Sequence, residues 1–129
     1  MASIIFSDIQ AYLDAIVKLG ATATGTDINA SPHKRFWANY NDFMHANLTK
    51  VTCNGNPIPI VDPVNKVQSA FYLVLINPKG FCNSPQMPFG GPFITDAGYQ
   101  VTLADGRVVT GAKINEDIKS WLENGCPES

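Results

Sequence analysis

Two histidines and two methionines are the side chains of this sequence best suited to bind a transition metal. They are His33, His45, Met44 and Met87, and imidazole nitrogens and thioether sulfurs are ligands that suit copper. The two histidines are twelve residues apart, which is not a ligand motif, and a lone methionine usually fills a gap in a hydrophobic core. We therefore predict no metal site, with His33, His45 and Met87 as the alternative ligand set.

A carboxylate and an imidazole are spaced for contact on one helix face. Asp42 and His45 are three residues apart, so on a helix their side chains are neighbours and could act as an acid/base pair. A solvated hydrogen bond between them is the simpler interpretation.

The three cysteines are Cys53, Cys82 and Cys126, an odd number without CxxC spacing. The pattern predicts one disulfide and one spare thiol. Cys53 and Cys82 are the more natural pair because both lie in segments rich in Gly, Asn and Pro. Three free thiols remain the alternative. No cysteine has an adjacent histidine that could activate it as a nucleophile.

Four helices are predicted to position these residues. Capping residues and apolar side chains at helical spacing indicate each of them. The predicted helices run from Ser7 to Gly20, from Pro32 to about Ala46, from Asp62 to just before Asn77, and from near Asn115 to Gly125.

One β-hairpin and two loops complete the predicted elements. Residues 99–103 and 107–110 alternate around Ala104-Asp105-Gly106, a pattern typical of a hairpin. Residues 52–61 carry Gly55, Pro57 and Pro59, which oppose regular structure, so this segment is predicted to be a loop. Residues 81–93 are predicted to form a structured loop for the same reason.

Length, charge and hydropathy narrow the class of protein. A chain of 129 residues with 45% hydrophobic content predicts a single domain over residues 1–129. The net charge of −2 and scattered basic residues argue against a nucleic-acid partner. The longest apolar run, residues 71–76, is far shorter than the roughly 20 residues of a membrane span.

The expected location follows from the N-terminus and the composition. Residues 1–6 lack the basic region and cleavage site of a secretory signal. Either the chain is cytoplasmic, or a signal has been removed. Low charge and abundant asparagine favour a periplasmic or secreted protein, with the cytoplasm left open.

The order of the motifs resembles the small cytochrome c domains of bacteria. The motifs are Asn29-Ala30-Ser31-Pro32-His33, then Gln86-Met87-Pro88-Phe89-Gly90-Gly91-Pro92, then a last helix ending Trp121-Leu122-Glu123-Asn124-Gly125-Cys126-Pro127. The resemblance implies a mostly α fold, a cytochrome c-like helical domain in which the first and last helices cross. The hairpin near residues 99–110 would be an insertion.

The same resemblance implies the positions of two haem ligands. His33 stands where that family has its axial histidine, and Met87 where it has its axial methionine. The two haem-attaching cysteines are replaced by Asn29 and Pro32, which excludes covalently attached haem c.

The function implied is that of a haem-free binding or interaction module, acting on an unknown small molecule or protein through the vacated cofactor pocket or its surface. No cofactor is expected. One alternative is an electron carrier that holds haem b between His33 and Met87. Another is a small enzyme that uses His33 or His45 as acid or base. The pocket would be lined by His33 and Met87 together with the rings of Phe36, Trp37, Tyr40 and Phe89.

Overall fold

Four α-helices and two separate two-stranded antiparallel sheets make up the described part of the fold. The computed structural model describes residues 4–24, 37–82, 86–87 and 92–129. The helices are α1 (Phe6–Thr24), α2 (Tyr40–His45), α3 (Ala70–Ile76) and α4 (Gly111–Glu123), and the strands are β1 (Asn47–Cys53), β2 (Asn56–Pro59), β3 (Gln100–Thr102) and β4 (Val108–Thr110).

The prediction of a mostly α, cytochrome c-like helical domain is wrong. β2 and the end of β1 lie in residues 52–61, the segment predicted to be a loop, and the fold is a mixture of helices and sheets. Asn54 and Gly55 have φ angles of 51° and 81° and join β1 to β2, with Cys53 paired to Asn56. Two positive φ angles in a two-residue connection suit the twist of a hairpin, and Asn-Gly is its strongest local signal.

Among the described residues β2 pairs only with β1, and this explains why β2 tolerates two prolines. The N–H of Ile60 donates to the carbonyl of Ala46 at 3.1 Å, on the β1 side. Since N–H directions alternate along a strand, the nitrogens of Pro57 and Pro59 point away from β1. The two prolines therefore remove no hydrogen bond from the sheet.

The first two helices differ in extent from their predictions. Gly20 is buried inside α1, which continues to Thr24; an interior glycine costs a helix only about 1 kcal/mol relative to alanine. α2 begins at Tyr40 because Asn39 caps it, its Oδ1 accepting the N–H of Asp42 at 2.8 Å. Residues 32–36 of the predicted second helix lie outside the described residues.

The predicted helix from Asp62 is α-helical only from Ala70 onward. The Oδ1 of Asp62 accepts the N–H groups of Val64 and Asn65 at 2.9 and 2.8 Å. The Ser69 hydroxyl accepts the N–H of Asp62 at 2.9 Å. These side-chain bonds hold the segment in turns, including a 3-10 turn over Lys66–Gln68, so α3 is short.

The hairpin predicted around Asp105-Gly106 is present. β3 and β4 pair antiparallel with Val101 opposite Val109, and both of these side chains are buried. Gly106 has a φ of 93°, as the turn requires. The hairpin therefore presents one face to the core.

α4 begins earlier than predicted and ends where predicted. Thr110 is the N-cap, since its hydroxyl accepts the N–H of Lys113 at 3.2 Å. At the other end Gly125 has a φ of 87°. The N–H of Cys126 donates to the carbonyl of Trp121 at 2.9 Å. This is the hydrogen-bond pattern of a Schellman motif.

Aromatic rings connect all four helices in the core. The Phe43 ring centroid lies 4.8 Å from that of Phe71 and 6.0 Å from that of Trp121, and Phe6 of α1 lies 6.3 Å from Trp121. The first and last helices are thus in contact. No helix in the described part of the chain is long and apolar enough to cross a bilayer.

Candidate functional site

Three of the predicted pocket and ligand residues lie outside the described residues. They are His33, Phe36 and Phe89. The pairing of His33 with Met87 as haem ligands therefore stays a prediction.

The described members of the predicted pocket have structural partners. The indole N–H of Trp37 donates to Asp14 Oδ1 at 2.7 Å. The Tyr40 hydroxyl donates to the carbonyl of Cys126 at 2.6 Å. Met87 is partly buried against the core, and its backbone N–H donates to the carbonyl of Val74 at 2.7 Å. Trp37 thus bonds the segment before α2 to α1, and Tyr40 bonds α2 to the segment after α4. Met87 is bonded to α3.

The predicted acid/base pair is engaged differently. His45 is exposed at the end of α2, while the Asp42 carboxylate accepts from the Asn39 amide at 2.9 Å. Asp42 therefore serves the cap of α2. Within the ranges that the structure describes, no three His, Cys, Asp or Glu side chains are grouped to hold a metal ion.

The predicted disulfide is confirmed. Cys53 and Cys82 are bonded with an S–S distance of 2.07 Å, and Cys126 is the spare thiol. Burial raises the pKa of the Cys126 thiol to about 11. A thiol of that kind is a weak nucleophile at neutral pH, so Cys126 is a core residue.

A buried carboxylate joins the first and last helices. Asp117 of α4 is 4% exposed. It accepts the hydroxyl of Tyr12 through Oδ2 and the Lys113 ammonium through Oδ1 at 2.9 Å. Both oxygens are used within the protein, which makes this cluster structural.

A groove of about 500 Å³ lies where the β3–β4 hairpin meets the start of α4. It is open to solvent and is lined by residues 94–100, residues 110–112 and Asn115. None of these residues stands in a sequence motif that predicts a functional site. The Asp96 carboxylate, the two amides and the hydroxyls among them look like ordinary turn and cap groups in the sequence.

One side-chain and two backbone hydrogen bonds fix the loop on one side of the groove. The Asp96 carboxylate accepts the N–H of Phe93 at 2.8 Å, and the N–H of Asp96 donates to the carbonyl of Phe93 at 2.9 Å. The N–H of Tyr99 donates to the carbonyl of Asp96 at 3.2 Å. Gly98 takes a φ of 76°, which other residues rarely adopt. This loop is therefore a defined turn.

A glycine lets the loop reach α4. A Cβ at Gly111 would lie 2.0 Å from the carbonyl oxygen of Ile94, so the two backbones are in direct contact. The N–H of Gly111 also donates to the carbonyl of Tyr99 at 3.0 Å. These contacts set the spacing between the loop and the helix, and with it the shape of the groove.

The polar side chains of the groove are only partly used within the protein. Thr95 Oγ1 accepts the Gln86 amide at 2.9 Å, and Asn115 Oδ1 accepts the Tyr72 hydroxyl. These bonds leave the hydroxyl hydrogen of Thr95 and the NH₂ of Asn115 as donors. Gln100 is exposed and supplies both a donor and an acceptor.

Tyr99 lines the groove, and its hydroxyl is buried. The residue is 7% exposed, and among the described residues its hydroxyl has no hydrogen-bond partner. Burial, with a smaller contribution from the Asp96 carboxylate, raises the pKa of Tyr99 to about 12. The hydroxyl is therefore a neutral donor at physiological pH. A buried group without a partner in a folded protein calls for an explanation, such as a water or a ligand.

The tyrosines should ionise late in an alkaline titration. Burial raises the pKa of all four, Tyr12, Tyr40, Tyr72 and Tyr99, above the unfolded value of about 10. The folded state then holds the phenolic protons more tightly, so this stabilisation is present below about pH 10 and is lost as the pH rises through the folded values. In the folded protein, tyrosinate absorbance should rise only above pH 10 and together with unfolding. In the protein already unfolded in urea, it should rise near pH 10. Ionisation of the tyrosines near pH 10 while the protein is still folded would contradict their burial.

No protein family model matches this chain, and no curated protein or solved structure matches it either. The functional conclusion therefore depends on the chain's own residues.

Proposed function

We propose that the protein is a binding module that takes a small polar ligand in the groove between the β3–β4 hairpin and α4. The observation that carries this proposal is the groove of about 500 Å³ lined by donors and acceptors. The residues that carry these donors and acceptors belong to segments whose spacing is fixed by the contact of Gly111 with Ile94. A few convergent polar groups on a fixed backbone are what small-molecule sites share.

The composition of the groove favours binding over catalysis. Asp96 is the only carboxylate among its described lining residues, and none of them is His, Cys or Lys. Acid/base catalysis usually needs a group with a pKa near neutrality, and nucleophilic catalysis needs an activated nucleophile. The groove offers hydrogen bonds instead.

The disulfide supports a site of action outside the cytoplasm. Cys53–Cys82 links the end of β1 to the segment after α3, and such bonds persist in oxidising compartments. We therefore place the proposed module in the periplasm or the extracellular space.

Binding is tested by screening neutral small molecules and mapping each one by the amide NMR shifts of the labelled protein. We expect binders to shift amides of residues 94–100 and 110–115. Ala97→Trp should abolish these shifts, because Ala97 is exposed and lines the groove. A tryptophan there would occupy the groove.

The matched control is Ala104→Trp, since Ala104 is also exposed in a turn but does not line the groove. It should bind like the unaltered protein. The proposed function would be refuted if the amide shifts persisted in Ala97→Trp. It would also be refuted if no compound in the screen shifted the groove amides.

A further inference from the structure

The charge of the groove restricts its ligand more sharply than its size does. None of the described lining residues is Lys or Arg, and Asp96 supplies a single negative charge. A phosphate or carboxylate ligand would meet that charge without a cation to pair with. The backbone N–H groups at the start of α4 supply only a partial positive charge, so anionic ligands are disfavoured relative to neutral ones.

The hydrogen-bonding groups of the groove are mixed in kind. Thr95 and Asn115 have donors left over, Asp96 has a carboxylate oxygen that its bond to Phe93 does not use, and Gln100 offers both kinds. Ligand hydroxyls can both donate and accept, so they match such a mixture better than groups that only donate.

Small apolar groups stand among these polar ones. The methyl groups of Ala97 and Ala112 belong to exposed residues that line the groove. A ligand with C–H surface between its hydroxyls would bury apolar area there while its polar groups bond to the side chains.

Building on the function proposed above, we propose that the groove binds a neutral, hydroxyl-rich ligand, a saccharide or a related polyol. The open form of the groove covers such a ligand only in part, so affinity is weak, with a Kd of about 1 mM.

The test uses one sugar ring carrying three different charges. Glucose, glucosamine and glucuronate are titrated into the labelled full chain, together with galactose, mannose and myo-inositol as further neutral polyols. We expect at least one neutral compound to shift groove amides in a saturable manner below about 50 mM. Glucuronate should bind at least about threefold more weakly than glucose, because the Asp96 charge repels it.

Two variants identify the groups involved. Gln100→Leu should weaken binding of the neutral sugar about three- to tenfold through the lost amide hydrogen bonds. Gln68→Leu is the matched control, since Gln68 is exposed outside the groove, and it should change nothing. Asp96→Asn removes the negative charge but keeps a hydrogen-bonding side chain, so the ratio of the glucuronate Kd to the glucose Kd should fall to about one.

The outcomes separate this inference from the proposed function. If only other compounds shift the groove amides, and Ala97→Trp blocks them, the module stands and the saccharide assignment is wrong. Preferential binding of glucuronate, or of glucosamine in a manner that Asp96→Asn abolishes, also overturns the neutral class. If no compound of any class shifts the groove amides, both proposals fail.

Discussion

Trp121→Ala is expected to lower the free energy of unfolding by about 4 kcal/mol. Trp121 is fully buried, and its ring lies 6.0 to 6.5 Å, centroid to centroid, from three phenylalanine rings on α1, α2 and α3. Its indole N–H also donates to the carbonyl of Pro127 at 2.8 Å. The substitution therefore leaves a cavity at the point where all four helices meet, and an acceptor without its donor.

Urea unfolding followed by circular dichroism measures this loss. Trp121→Phe should cost clearly less, because it keeps an aromatic ring in the core and loses mainly the bond to Pro127. Val64→Ala is the surface control, since Val64 is 92% exposed, and it should change stability by less than about 0.5 kcal/mol. A similar small effect for Trp121→Ala would contradict the described core.

Removal of the disulfide is expected to lower the free energy of unfolding by nearly as much as Trp121→Ala does. Cys53 and Cys82 are separated by 29 residues, and the chain-entropy relation assigns a loop of that length about 3 to 4 kcal/mol. The double variant Cys53→Ser/Cys82→Ser should be less stable by this amount. Because the crosslink acts mainly on the unfolded ensemble, the variant should also show a larger dependence of stability on urea.

A reducing agent provides the control for the disulfide. It should destabilise the unaltered protein and leave the double variant unchanged. Thiol counting gives an independent check, because the unfolded protein should show one reactive thiol before reduction and three after it. Three reactive thiols without reduction would contradict the pairing.

The features that sequence could predict are those decided by local residues. The β3–β4 hairpin follows from alternating runs around Asp105-Gly106, and the end of α4 from Gly125. The β1–β2 hairpin also carried a local signal, Asn54-Gly55, but Pro57 and Pro59 argued against a strand. Whether a proline nitrogen faces a partner strand or solvent depends on register and on which edge is paired. The sequence does not reveal either one.

The groove could not be predicted for a different reason. Its lining comes from the loop at 94–100 and from the start of α4, which meet because Gly111 lets the Ile94 backbone approach. That approach is a tertiary contact without a sequence motif. Which donors Thr95 and Asn115 have left for a ligand also depends on their bonds to Gln86 and Tyr72, which the sequence does not reveal.

The two prolines of β2 also affect how the folded protein behaves at high concentration. An exposed strand edge can recruit the edge of another molecule and start a growing aggregate. Along the outer side of β2, Pro57 and Pro59 have no amide hydrogens to offer an incoming strand. Fibril growth from that edge would lack half of its intermolecular ladder, so β2 is protected from self-association by its own sequence.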